Sequence, residues 1–157
     1  MNSLLIGGAQ SVGKSETIYK IASNLVAKGF VVIAGSIPPA FNDFTVVLKG
    51  FDKDEQKVTV IINSATDTTD IIRNFKKFFD ENRNYDILIS SVRDNDFYPR
   101  KHFFDIMGIN PNDKNLVEIP LAKITRRGGN FATALNWYSE KIEKLIMHTL
   151  NNNPFNI

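Results

Sequence analysis

The stretch GGAQSVGKSET, Gly7 to Thr17, constrains this chain more than any other. It follows a short continuous apolar run, Ser3–Gly7, of the kind expected for a strand buried on both faces. It precedes Ile18, Ile21 and Leu25, which recur at helical spacing, and Gly29 supplies a stop for that helix. A glycine-rich bend between a strand and a helix has a definite chemical consequence. Gly8 and Gly13 let the backbone curl so that successive N–H groups point inward. A helix starting near Ser15 brings the positive end of its dipole to the same place. Lys14 adds an ammonium group and Ser15 a hydroxyl. The unit is built to hold an anion.

The rest of the chain alternates between the two periodicities. Phe30–Ser36 reads as a second buried strand, and the paired prolines make 37–43 a loop. Phe44–Phe51 and Lys57–Asn63 form a predicted hairpin across a charged turn. The segment Thr68–Asn82 is predicted helical, with Ile71, Ile72, Phe75, Phe78 and Phe79 on one face and Asp67 as N-cap. Tyr85–Ser91 is a further strand. Pro99 suits the first turn of a short helix reaching Met107 and closed by Gly108. Asn115–Leu121 is the last strand, with Pro120 at its end. KITRRGG is a loop. A final helix runs from Phe131 to Leu150, with Leu135, Tyr138, Ile142, Leu145 and Ile146 as its buried stripe. The expected organisation is a single domain over residues 1–150 and a frayed tail over 151–157. Strands alternating with helices predict an α/β fold with a mostly parallel sheet, and such sheets bind ligands at the carboxyl ends of their strands.

Composition narrows the function classes. The 157 residues, 43% hydrophobic and 23% charged, are enough for one globular domain with a real core. A net charge of +2 without a dense Lys/Arg block does not indicate nucleic acid as a partner. The absence of cysteine excludes a disulfide scaffold, a thiolate zinc site and a cysteine nucleophile. The run LLI is too short for a signal peptide, and no apolar stretch approaches a membrane span, so the expectation is a cytoplasmic protein without membrane contact. His102 and His148 have no third ligand at metal spacing and read as structural or surface residues. Trp137 and the Phe75–Phe79 cluster read as core or interface.

The spacing Gly8-x4-Gly13-Lys14-Ser15 is the Walker A pattern. At ordinary glycine usage it should arise by chance in about one chain of this length per hundred, and the flanking strand and helix lower that further. On these residues the chain resembles the P-loop NTPase superfamily. The resemblance covers Gly8–Ser15 and the elements beside it; elsewhere it is only a matter of α/β order. It implies a three-layer α/β/α sandwich and binding of a Mg²⁺–nucleoside triphosphate. Gly8, Ala9, Gln10, Ser11, Val12, Gly13, Lys14, Ser15 and Glu16 would form the cradle. Lys14 would bridge the β- and γ-phosphates, and Ser15 would ligate Mg²⁺.

Such a site usually has a second apolar strand ending in an acid. Here VTVIINSATD ends in Asn63 and Ser64, and the first acid is Asp67, which is the candidate metal and catalytic carboxylate. Asn63 can hold a metal-bound water but cannot act as a base. Asp43, after the proline loop, and Asp94 and Asp96, after the strand YDILISS, belong at the ligand edge, with Asp43 and Asp94 as candidate substrate contacts. SVRD lacks the Asn and Lys of the guanine-reading N-K-x-D element, so ATP is favoured over GTP. EIPLAK resembles the base-contact loop of several P-loop families. Arg126 and Arg127, beside two glycines, are candidates to carry a cation to the transferring phosphate, as are Arg93 and Arg100. The leading expectation is an ATPase that couples hydrolysis to a protein partner. The alternatives are a small-molecule or nucleotide kinase and a non-catalytic nucleotide-binding module.

Overall fold

The computed structural model describes residues 1–94, 98–124 and 131–157. It is an α/β protein built on one six-stranded sheet and four helices. In chain order the elements are β1 (Asn2–Gly7), α1 (Lys14–Ala27), β2 (Val31–Gly35), β3 (Thr45–Phe51), β4 (Lys57–Asn63), α2 (Thr69–Glu81), β5 (Ile87–Val92), α3 (Tyr98–Met107), β6 (Leu116–Pro120) and α4 (Phe131–Leu150). The sheet order is β2-β3-β4-β5-β1-β6. β1 runs parallel to both β5 and β6, and β4 parallel to β5. β3 is antiparallel to both its neighbours, so it alone opposes the common direction.

Side-chain alternation along the strands divides the core in two. Leu4 and Ile6 of β1 face α1 and α4, in a cluster that includes Ile18, Ile21 and Leu25 of α1 and Ile146 and Leu150 of α4. Leu5, one residue out of phase, faces α2 and α3, where it joins Ile72 and Phe75 of α2 and Phe103 and Met107 of α3. The helices thus form one layer on each side of the sheet. Pro120 ends β6, where a missing N–H interrupts no further pairing. Gly29 and Gly108 adopt positive φ just after α1 and α3, as their positions in the sequence suggest.

Four expectations need correction. β2 is an edge strand: Val31, Val32 and Ile33 are 64%, 40% and 55% exposed, and only Ala34 packs, partly, against a core cluster. An apolar run cannot say whether helices cover it, and here they lie over the other strands. Asp67 does not cap α2. Thr68 is the N-cap, and its side chain accepts from the Ile71 N–H at 3.3 Å. On α4, Leu135 and Leu145 are exposed at 41% and 48%, as is Trp137 at 62%. The burial of α4 is concentrated at Ile146 and Leu150.

The fourth correction concerns residues 151–157, which are fastened down rather than frayed. Phe155 and Ile157 are buried in the α1/α4 cluster. The Ile157 N–H donates to the Leu150 carbonyl, Lys53 N–H to Asn156, and the Asn2 side chain to Pro154. The two apolar residues of the tail fill the space beside the end of α4, which outweighs its polar composition. Among the described residues, no helix is long and apolar enough to cross a membrane.

Candidate phosphate-binding site

The loop between β1 and α1 lies at the carboxyl end of an interior strand. Gly8, Ser11 and Gly13 have φ of 138°, 60° and 95°, a set of positive values that winds the chain into a tight cradle. Glycine is required at Gly8 for a second reason. A Cβ there would stand 3.0 Å from the Leu121 carbonyl oxygen and 3.0 Å from Val12 Cγ2. Leu121 is fixed in turn, because its N–H donates to the Gly7 carbonyl at 2.8 Å. Gly13 is the N-cap of α1 in left-handed conformation and supplies no side-chain acceptor to the first-turn amides. Those donors and the helix dipole therefore point at the loop without a protein anion from the cap.

Lys14 turns back into the cradle. Its ammonium donates to the Gly8 carbonyl at 2.9 Å and to the Ala9 carbonyl at 2.6 Å, and the residue is only 7% exposed. Among the described residues no carboxylate forms an ion pair with it. Burial lowers its pKa from the ordinary value of 10.5; nearby Asp67 and Asp94 oppose that shift and Arg93 adds to it. These four charged groups therefore share one neighbourhood.

The next residue links two strands. The Ser15 hydroxyl donates to the Ser64 carbonyl at 2.9 Å, and the Ser64 hydroxyl accepts from the Phe44 N–H at 2.8 Å. Ser64, rather than Asn63, is what meets Ser15. Asn63 turns the other way, and its amide donates to the Ala65 carbonyl and the Ser90 hydroxyl, strapping the end of β4 to β5. A hydrogen bond between the Thr66 and Ser91 hydroxyls at 3.1 Å makes a second strap. Just beyond these straps, Arg93 Nη1 donates to Asp67 Oδ1 at 2.7 Å.

The Ser15 hydroxyl and its Ser64 carbonyl partner are oxygens, the donor type that a hard cation takes. A Mg²⁺ ion in a nucleotide site takes one or two protein oxygens and completes its shell with phosphates and water. The Ser15 hydroxyl, the Ser64 carbonyl and the Asp67 carboxylate are the residues that would hold it. Among the described residues there is no cluster of three or more acidic, His or Cys side chains, so a metal held by protein ligands alone has no such cluster to bind.

The remaining candidates separate. Asp94 lies near Lys14 and lines a cavity of about 240 Å³ with Gly8, Ala9 and Glu118. Asp43 is exposed, one residue before the Phe44 that bonds Ser64. Its loop is held against α1 by edge-on contacts of Phe41 and Phe44 with Tyr19. Glu16 pairs with Lys20 across one turn on an exposed face. Arg100 is committed elsewhere: both terminal nitrogens bond Glu118, at 2.8 and 2.7 Å, and its guanidinium lies 5.2 Å from the Phe104 ring centroid. Those bonds raise its pKa. Arg126, Arg127 and Asp96 lie outside the described residues. His102 is a structural residue, bonded to Thr69 Oγ1 at 2.8 Å.

A cleft of about 1000 Å³ opens beside the loop, between α1 and α4. Ser11, Val12 and Gly13 form its mouth, and Leu121 to Ile124 one wall. Ile21, Ile142 and Ile146 give it an apolar floor, and an amide contact of Asn24 with Met147 lies at its far end. The sequence drew attention to EIPLAK but not to the α4 wall, because that wall depends on how α4 packs beside α1. No protein-family model matches the chain, and no curated protein or solved structure is significantly similar to it.

Proposed function

We propose that this chain is a P-loop protein that binds a Mg²⁺–nucleoside triphosphate, ATP in preference to GTP, and hydrolyses it in a cycle coupled to a partner. The observation that carries the reading is the buried Lys14 ammonium, held inside a glycine-wound loop against main-chain carbonyls. A cation buried at a cost, with acceptors that a polyphosphate can readily replace, is arranged for an anionic ligand. The loop amides and Lys14 would hold the triphosphate, and Ser15 would hold Mg²⁺. The nucleoside lies in the adjoining cleft, whose size and apolar floor suit a base and ribose. Magnesium neutralises phosphate charge when bound. The chain's own groups position the polyphosphate and stabilise the charge that develops on it.

A second reading, a module that binds nucleotide without turning it over, is favoured by one observation. The residue facing Ser15 is Ser64, not an acid, and Asp67, the first acid after β4, is engaged by Arg93. Turnover separates the two readings. The test is to identify nucleotide that co-purifies with the protein, titrate ATP and GTP, and follow Mg²⁺-dependent phosphate release by wild type and Lys14→Ala. The expected result is ATP binding by the wild type and a loss of turnover of at least about 100-fold in the variant, with the fold intact. Binding without release, with partners or acceptors supplied, selects the module. Release that requires an added hydroxyl acceptor selects a kinase. Equal affinity and turnover in wild type and Lys14→Ala would end the assignment of this site.

A further inference from the structure

We infer that Arg93 is the residue that distinguishes triphosphate from diphosphate in this site, by exchanging Asp67 for the terminal phosphate. The inference rests on the phosphate-loop reading above and adds a role for an ion pair which that reading leaves unused.

Register places Arg93 at the loop. β5 pairs with β1 so that Val92 stands opposite Gly7. Arg93 therefore follows the last paired residue of β5 just as Gly8, whose carbonyl receives the Lys14 ammonium, follows the last paired residue of β1. The residue is 7% exposed, so its guanidinium is committed to this interior and not to solvent. Its main chain is anchored as well: the Arg93 carbonyl accepts from Arg100 Nη1 at 3.2 Å, and Arg100 is clamped by Glu118. A fixed backbone with a long side chain confines any movement to the guanidinium.

Of the Arg93–Asp67 and Arg100–Glu118 pairs, seen among the described residues, the first is the one suited to exchange. Arg100 and Glu118 are joined through two bonds, and the two side chains are 18% and 24% exposed. Separating them would strand a largely enclosed carboxylate. Asp67 is 45% exposed, so water can take over its solvation once Arg93 leaves. The straps at Asn63–Ser90 and Thr66–Ser91 hold both partners in place throughout.

Charge supplies the driving force. A Mg²⁺-bound triphosphate brings a net charge of about −2 to a loop where Lys14 and Arg93 are buried and Asp67 is exposed. The added anion draws Arg93 and repels Asp67, whose exposed carboxylate turns to solvent. A guanidinium suits the terminal phosphate because its planar fork meets two oxygens at once. A diphosphate lacks that group, and Arg93 then stays with Asp67.

The test compares ATP and ADP affinities by calorimetry, with and without Mg²⁺, for wild type, Arg93→Ala, Arg93→Lys and Asp67→Asn, with a thermal melt of each. Arg93→Ala is expected to weaken ATP by about tenfold or more while ADP changes less than about twofold, so that the preference collapses. Asp67→Asn is expected to raise metal-free ATP affinity, because the carboxylate that competes with phosphate for Arg93 is gone, and to reduce the benefit of Mg²⁺. If Arg93→Ala weakens both nucleotides equally, or neither, Arg93 is a structural residue and the inference is overturned. Should Arg93→Ala fail to fold, Arg93→Lys and Asp67→Asn decide: an unchanged ATP/ADP ratio in the first with unchanged metal-free ATP affinity in the second overturns it. A wild type that binds neither nucleotide removes the phosphate-loop reading itself, which is a different failure from a wild type that binds both while Arg93→Ala keeps the preference.

Discussion

At the amino end of β1, the Asn2 side chain donates to the Pro154 carbonyl, and the last residues of the chain bury Phe155 and Ile157 against α1 and α4. At the carboxyl end of the same strand, Gly7 gives way to a loop that buries an ammonium and faces an ion pair and two strapped strand ends. The first end ties its polar groups to partners that include the exposed ends of Lys28, Lys53 and Asp54, and fills its volume with apolar side chains. The second carries charge in a place where charge is costly. The contrast teaches where stability and chemistry reside. The expectation is that one end can be weakened without touching the proposed site, and that the other can lose its proposed ligand without losing the fold.

Substitutions at the two ends test that separation. The largest effect on stability belongs at the quiet end. Phe155→Ala removes a buried ring and is expected to cost about 3–5 kcal/mol, read by urea denaturation, while nucleotide affinity per folded molecule is unchanged. A loss of affinity there would mean the ends are coupled. An intermediate effect is expected at the loop. Gly8→Ala forces a side chain into positive φ and against the Leu121 carbonyl, costing about 1–3 kcal/mol and most of the nucleotide affinity. Normal binding by Gly8→Ala would show that the cradle geometry is not what holds the ligand. The smallest effect separates two adjacent residues. Thr68→Ala should cost about 1 kcal/mol of stability through the lost cap and leave binding alone. Asp67→Ala should change Mg²⁺ dependence, and it should also lower the melting temperature, because it removes the carboxylate bonded to the buried Arg93 guanidinium. Swapped phenotypes would restore Asp67 as the cap.

Much of the frame was legible in the sequence because each element carried its own local signal. The helical stripe of Ile18, Ile21 and Leu25, the β-rich pair around the turn after Phe51, and the glycines after α1 and α3 all formed where their chemistry predicts. β2 was misread because five apolar residues look alike in the middle of a sheet and at its edge. Leu135 and Leu145 were misread because a helical stripe assumes a partner along its whole length, and α4 has one mainly near Ile146 and Leu150. The tail was misread because three asparagines and a proline outvoted the two apolar residues that dock.

The sequence by itself determined the loop: two glycines, a lysine and a serine at fixed spacing between an apolar run and a helical stripe require no distant residue to form. Only the tertiary structure decided the surroundings of that loop. It brought Ser64 rather than Asn63 to Ser15, gave Asp67 to Arg93 instead of to the cap, engaged Arg100 with Glu118, and opened a cleft along α4. The reason is physical. A turn is specified by backbone conformations within a few residues, whereas an ion pair or a cleft wall depends on strand order and helix packing between residues far apart in the chain.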